Sequence, residues 1–521
     1  MAKYRKVHFK LMHLLFIAIL GIGIVFRVIN IEEKVYWHDE AYTSLRISGY
    51  TMKEFAQGAY ANREKSIKYL QTFQRFKPGS QLKDTIRSLA VEDSQHPPLY
   101  YILLRYWVKL FGNSITAIRS LSILFGLLAF PCLYWLCLEL FQSSFGAWVA
   151  IALFAVSPVH VLFAQEARQY ALWTVTILAA SAALLRAMRL NTKWNWAIYA
   201  IALATSFYTF FLSGLVAVGH GIYVFVTEKY RLSKRAIAYL LASGLGLLIF
   251  APWILSLINN YTMFQMTTGW TNNSLPAVIF MRRWLFNLGH IFFDFGLETD
   301  EKFIALYIIL LALIIYAFYF SIRHAPVRVW LFVITLIGAT TLPLLLPDLI
   351  KGGQRSIVAR YLFPSYIGVQ LAVAYLLSYK ISQTKLLTRK IWQAIATLLI
   401  LAGIISCSIS SPANTWWIKE ISKRNPQVAA LLNQANNPLV ISTNGCINNG
   451  NLLSLSYLLE PKVRLRLVDI APLAQIPQNS GDTFIYGDCT EPVRDSITQK
   501  KDYELKLILP DLWQLKSKNP K

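Results

Sequence analysis

The chain reads as an all-α polytopic membrane protein of about eleven transmembrane helices over residues 1–410, followed by a small exterior α/β domain over 411–521. Three observations predict this. Of 521 residues, 55% are hydrophobic and 15% are charged, against about 25% charged in an average soluble protein. Apolar runs approaching the roughly 20 residues that span a bilayer follow one another as far as position 410, separated by short basic loops. Beyond that point the composition turns polar, with Pro and Asn turn signals. A net charge of +24 (51 Lys and Arg, 27 Asp and Glu) would ordinarily suggest nucleic acid or an anionic surface. In a membrane protein the same excess records orientation, so its distribution decides.

The first run, 9–29, follows Lys3, Arg5, Lys6 and Lys10. It is long and lacks a small-residue cleavage site, so it reads as a retained anchor. The others are 118–140, 147–163, 170–185, 194–212, 215–226, 237–258, 303–322, 329–346, 362–379 and 391–407. A twelfth candidate, 99–111, is short and carries Arg105 and Lys109. If it does not cross, the basic connections at Arg186 to Lys193, Lys229 to Arg235, Arg323 to Arg328 and Lys380 to Lys390 share the side of the basic N-terminus. If it does cross, all four move outside, against the positive-inside rule. It is therefore expected to lie in the outer interface, with Tyr100, Tyr101, Tyr106 and Trp107 at the headgroup level. The uncharged loop at Gln142 is the one connection expected inside that lacks a basic residue.

The outer face then comprises the long loop 30–117, a connection at 160–169, the segment 259–302 with an amphipathic stretch at 281–297, the segment 347–360, and the tail. Loops as long as the first are usually functional. In the tail, 427–433 is helix-like and 439–442, 463–468, 483–486 and 503–509 are strand-like. Cys132, Cys137 and Cys407 lie in apolar runs and read as packing residues. Cys446 and Cys489 could pair if the tail is exported, though spacing alone establishes no bridge. No P-loop or strand-following GxGxxG is present, and Gly21 and Gly23 sit inside an apolar helix, so nucleotide binding has no support.

Four polar clusters face the outer side. Trp37-His38-Asp39-Glu40 follows the first span, and Asp93-Ser94-Gln95-His96-Pro97-Pro98 closes the same loop. Adjacent carboxylates at a membrane boundary suit a general base or simply flank a helix as solvated charges. The Pro pair suits a first helical turn, whose free N–H groups could face an anion or merely begin the helix rigidly. Gln165-Glu166-Ala167-Arg168-Gln169-Tyr170 opens the fourth span; a boundary Glu and Arg are functional by default, or form a structural ion pair. Lys351 to Tyr361 sets Lys351, Arg355 and Arg360 against the charge rule, as Arg119 also stands. Arginine forks suit phosphate oxygens.

In this order the set resembles the GT-C glycosyltransferases of the protein O-mannosyltransferase and aminoarabinose-transferase kind, and in particular the bacterial glycosyltransferase family 39. The resemblance covers about 10–380. It implies a GT-C type membrane enzyme that moves a sugar, with inversion, from a polyprenyl-phosphate donor to an acceptor hydroxyl on the outer face of the plasma (inner) membrane. Asp39 matches the family's first-loop catalytic acid and Glu40 its neighbour, while His96 matches the HPP histidine. Two positions depart from the pattern. The acid often found two residues before that His is Ser94 here, with Asp93 one place further. The second-loop acid expected downstream of Arg168 is missing, leaving Glu166 upstream.

The residue types support the same chemistry. A hydroxyl attacking an anomeric carbon must lose its proton, and Asp39 could accept it. Arg119, Arg168, Arg355 or Arg360 could stabilise the departing phosphate, with His96, Asp93, Glu166, Tyr170 and Tyr361 supporting. No metal or other cofactor is expected, since HxxxH and DxD are absent and Glu298-Thr299-Asp300 reads as a helix cap; a divalent ion on Asp39 or Glu40 is the alternative. Membrane lipids and the lipid-linked donor are the expected partners, with no nucleic acid. The sugar and the acceptor (protein, lipid or polysaccharide) stay open. The competing readings are a transporter or flippase, or a glycan polymerase or ligase, for lipid-linked sugars. Transporters favour broken helices at the midplane, whereas these clusters sit at the boundary.

Overall fold

The computed structural model describes residues 2–61, 63–296, 303–383, 385–443, 447–468, 482–487 and 503–517. Cys446, Cys489 and Glu298-Thr299-Asp300 lie outside the described residues, as does the end of the 281–297 stretch. Each of the eleven apolar runs is helical to within a few residues. Six of the helices are long and apolar enough to cross a membrane: Ile115–Phe141, Tyr170–Leu190, Lys234–Asn259, Ile304–His324, Val327–Lys351 and Leu386–Ser410. A seventh is added if Ser144–Ala155 and Pro158–Ala164, bent by 64°, cross as one. Among the other runs, Leu14–Val28, Ser213–Thr227 and Lys193–Thr209 are shorter helices, and the mostly buried Phe363–Ile381 carries the polar Ser365, Tyr366, Gln370 and Ser378 inside.

The chain divides into two compact units. The first comprises Met1–Ile31, Leu89–Tyr100 and Thr116–Pro412. At its centre Ser144–Ala155 packs on Phe363–Ile381, on the first helix Ala2–Val28 and on Leu386–Ser410. The 64° bend after Ala155 frees carbonyls that a straight helix would bond internally. Arg27, fully buried, donates to Ala155 O at 2.8 Å, Phe154 O at 3.2 Å and Gly23 O at 2.8 Å. Its guanidinium lies 4.8 Å from the Phe130 ring centroid and 5.5 Å from that of Phe154. Gly23 permits the approach, because a Cβ there would fall 2.6 Å from Ala155 O. That glycine therefore serves close helix packing.

The second unit comprises Glu32–Ser88, Tyr101–Ile115 and Ala413–Lys521. The four strand-like runs of the tail are strands, and a six-stranded sheet forms in the order β1-β3-β2-β4-β6-β5. The strands are β1 (Glu64–Ser66), β2 (Leu439–Thr443), β3 (Arg464–Val468), β4 (Thr483–Tyr486), β5 (Tyr503–Leu509) and β6 (Leu512–Ser517). β2 runs parallel to β3 and β4, whereas β1, from the first long loop, joins β3 antiparallel. The short helices His38–Ile47 and Asn449–Ser456 pack together in this unit.

Residues 99–111 form one helix, Leu99–Phe111. Within the second unit Tyr101, Leu104, Arg105 and Val108 are buried, while Leu103, Tyr106, Leu110 and Phe111 are exposed. That is the spacing of an amphipathic helix. Arg105 is used internally: it donates to Ile47 O, Thr85 Oγ1 (3.1 Å) and Ser80 O (2.8 Å), and packs over Phe76.

Candidate active site

The first cluster belongs to the second unit. Trp37 is extended, and the chain turns at His38 into the helix His38–Ile47 with both acids in its first turn, where the helix dipole favours negative charge. Successive helical residues point about 100° apart, so Asp39 and Glu40 cannot face the same way. Glu40 turns inward. Its Oε2 accepts from Trp37 N at 3.3 Å and lies 3.4 Å from Lys419 Nζ, with side-chain exposures of 0% and 1%. Asp39 keeps 16% of its side-chain surface and has Oδ1 3.4 Å from His38 Nε2. The two acids that the sequence presents as a pair are thus sorted into an accessible carboxylate and a buried one.

The second and third clusters meet in the first unit. His96 N donates to Asp93 O at 2.9 Å, and the ring Nδ1 lies 2.9 Å from Asp93 Oδ1. Trp253 Nε1 holds the turn from outside by donating to Ser94 O at 2.9 Å. The other ring nitrogen, Nε2, lies 2.8 Å from Arg168 Nη2. Because a guanidinium only donates, Nε2 accepts. Nδ1, on the other side of the ring, faces the Asp93 carboxylate. Asp93, one place off the family pattern, still reaches the histidine.

Phe210, at the end of the helix Lys193–Thr209, joins three of the motifs. Its ring centroid lies 6.4 Å from that of His96, 6.0 Å from Tyr170 and 6.2 Å from Tyr361. The Arg168 guanidinium lies 5.9 Å from the Tyr170 ring. Arg119 is buried and donates to Ile31 O at 2.6 Å. Glu166 is also buried, and its carbonyl accepts from Arg168 N at 2.7 Å. Neighbouring Gln165 donates to Phe26 O at 3.0 Å and Ile29 O at 2.8 Å, closing the C-terminal turn of the first helix.

The fourth cluster separates its two arginines. Arg355 Nη1 donates to Asp348 Oδ1 at 2.9 Å, and Nη2 donates to Asn272 Oδ1. Asp348, whose side chain is 0% exposed, also accepts from Ser356 N at 2.7 Å and Ser356 Oγ at 2.8 Å. Arg355 is thus engaged in the turn that follows the helix Val327–Lys351. Arg360 lies 5.5 Å from the Trp270 ring and 5.9 Å from the Tyr361 ring, in cation–π range of both. Among the described residues, no group of three or more His, Cys, Asp or Glu is placed to hold a metal ion.

Sequence reasoning missed Lys419, Ser422, Phe210 and Asp348. Asp348 alone had a local signal: a carboxylate seven positions before an arginine at a helix end.

Residues 95–255 match the family described as Dolichyl-phosphate-mannose-protein mannosyltransferase. The fold is similar to that of two crystal structures of ArnT from Cupriavidus metallidurans. The structure bound to undecaprenyl phosphate gives a TM-score of 0.52 at 12% identity, and the apo structure 0.55 at 12%. Each alignment covers 97% of this chain and 97% of the other. No curated sequence matches. The family match and the shared fold bear out the resemblance to GT-C glycosyltransferases related to ArnT that the motif order suggests.

Proposed function

We propose that this chain is a membrane glycosyltransferase that moves a sugar from a polyprenyl-phosphate donor to an acceptor hydroxyl at the outer face of the membrane. The observation that carries this reading is the Asp93–His96–Arg168 chain. The imidazole acceptor, backed by the Asp93 carboxylate, orients the Arg168 guanidinium, which suits a group that must receive a phosphate. The fold shared with ArnT, one structure of which is bound to undecaprenyl phosphate, supports the same donor class.

In this reading the acceptor O–H gives its proton to Asp39 as the oxygen forms a bond to the anomeric carbon. The bond from that carbon to the phosphate oxygen breaks on the opposite face, inverting the centre. Polyprenyl phosphate leaves with the electron pair, and Arg168, Arg360 and Arg119 stabilise its charge. Arginines stand in place of a metal. Glu40 is taken up by Lys419, which removes one of the two carboxylates a divalent ion would use.

The test is release of polyprenyl phosphate by the purified protein from a synthetic panel of polyprenyl-phosphate hexoses and pentoses, with and without a chelator. Asp39→Asn should abolish release while leaving expression and membrane insertion intact. Near-normal turnover by that variant would sink the assignment. Mass spectrometry of lipid-linked sugars and envelope glycans, with and without the protein, would then identify sugar and acceptor.

A further inference from the structure

The tail supplies the groups that hold the acid motif. Lys419 lies in the 3-10 segment Trp417–Arg424, where Glu420 adopts φ 43 and ψ −122, a left-handed conformation unfavourable for a residue with a Cβ. Three residues on, Ser422 Oγ accepts from His38 N at 3.0 Å, satisfying a backbone donor of the helix that carries Asp39. Ser422 Oγ in turn donates to Asn451 Oδ1 at 2.7 Å. Asn425 Nδ2 donates to the same oxygen at 3.0 Å and to Ser454 Oγ at 2.8 Å, and Asn451 Nδ2 donates to Tyr486 Oη at 3.1 Å. Tyr42 Oη donates to Asn448 Oδ1 at 3.0 Å. The two helices meet so closely that a Cβ on Gly450 would fall 2.8 Å from His38 O.

A buried amide and hydroxyl network therefore fixes the backbone of the motif, and Lys419 fixes its charge. Buried carboxylates are rarely tolerated unpaired. A Glu40 charge left uncompensated beside Asp39 would raise the pKa of both by mutual repulsion. With Glu40 bound to Lys419, that repulsion is relieved. We propose that Lys419 is a positioning residue of the transfer reaction, holding Glu40 inward so that Asp39 alone remains as the carboxylate that takes the acceptor proton. This rests on the assignment of Asp39 as the base. Titratable groups about the motif include His38 against Asp39, Lys419 against Glu40, and Tyr457. The phenol of Tyr457 is pushed up by burial and further by the Glu40 charge, outweighing the opposite pull of Arg75, so it stays neutral.

The experiment compares Lys419→Met, Lys419→Arg, Glu40→Gln and the double variant Glu40→Gln/Lys419→Met in the full chain, using the same donor panel. Lys419→Met should lower kcat at least tenfold, with KM for the lipid donor within twofold. The acid limb of its pH–rate profile should move to higher pH, because a Glu40 charge no longer offset by Lys419 makes Asp39 harder to ionise. Lys419→Arg should keep most activity, and the double variant should recover most of what Lys419→Met loses. Unchanged kcat in Lys419→Met, or equal loss in the double variant, would overturn the inference.

A turnover-independent measurement separates this from the function itself. A carbodiimide, which attacks protonated carboxyls, should label Asp39 and spare Glu40, and the onset of Asp39 labelling should shift to higher pH in Lys419→Met. Should Lys419→Met fail to fold, the labelling and kinetics of the charge-free double variant decide, and wild-type-like behaviour is expected. Preferential labelling of Glu40 in the wild type, or an unshifted onset in a folded Lys419→Met, overturns the positioning role whether or not the panel contains a substrate. A wild type silent across the panel, with the labelling as expected, would sink the transferase reading alone.

Discussion

His96 Nε2 accepts a hydrogen bond from Arg168 Nη2 at 2.8 Å, while its Nδ1 faces Asp93 at 2.9 Å. A histidine held this way is a fixed acceptor. Its substitution should matter according to whether the replacement can still accept. His96→Gln presents an amide oxygen and should retain part of the activity, whereas His96→Phe should lose about 10–100-fold, of the order seen when groups orienting catalytic ligands are removed. Release of polyprenyl phosphate from the donor panel measures both; equal activities would remove Arg168 from the mechanism.

Arg355 and Arg360 stand five residues apart and should behave oppositely. Arg355→Ala strips the buried Asp348 of its charged partner. It should destabilise the protein by about 1–3 kcal/mol, the usual consequence of leaving a buried polar group underpaired, which thermal unfolding in detergent would register. Arg360→Ala should lower the unfolding temperature less than Arg355→Ala does. It should weaken binding of polyprenyl phosphate about tenfold, equivalent to about 1.4 kcal/mol. The reverse pattern would move the phosphate site to Arg355.

Arg27→Met removes the donors for the carbonyls of Phe154 and Ala155 at the bend. The expected loss is about 2–6 kcal/mol, since two buried acceptors go unsatisfied at about 1–3 kcal/mol each. Arg27→Lys should recover part of it, and an unfolding series with the three proteins gives the ranking.

Reporter fusions settle the sidedness. A fusion near Gln142 should report the cytoplasm and one near Ser114 the exterior. Cytoplasmic signal at Ser114 would make Leu99–Phe111 a crossing helix and reverse every later connection.

Much of this molecule is legible in local pattern. The apolar runs become helices because a bilayer leaves backbone groups no other partner. The strand-like runs of the tail join one sheet, and the HPP and E-x-R-x-Y motifs meet as Asp93, His96 and Arg168. What is hidden is non-local. Lys419 lies 379 positions from Glu40, and no periodicity connects them. Phe210 looks like one more apolar residue at the end of a run until its three ring partners are seen. Arg355 and Arg360 are equivalent by charge and position in the chain, and their partners, Asp348 for one and Trp270 for the other, distinguish them.

The antiparallel pairing of β1 with β3 sets an order in time. Glu64 and Arg464 bond across 400 positions. At about 5–20 residues per second a ribosome needs about 20–80 s to travel that distance. For that interval the first long loop is already made while β3, Lys419 and Ser422 are still wholly or partly unmade. The synthesis of residues 417–468, and not the insertion of the first helices, therefore determines when the acid motif is assembled. A chain cut short before residue 417 would carry Asp39 and Glu40 but none of the groups that distinguish them.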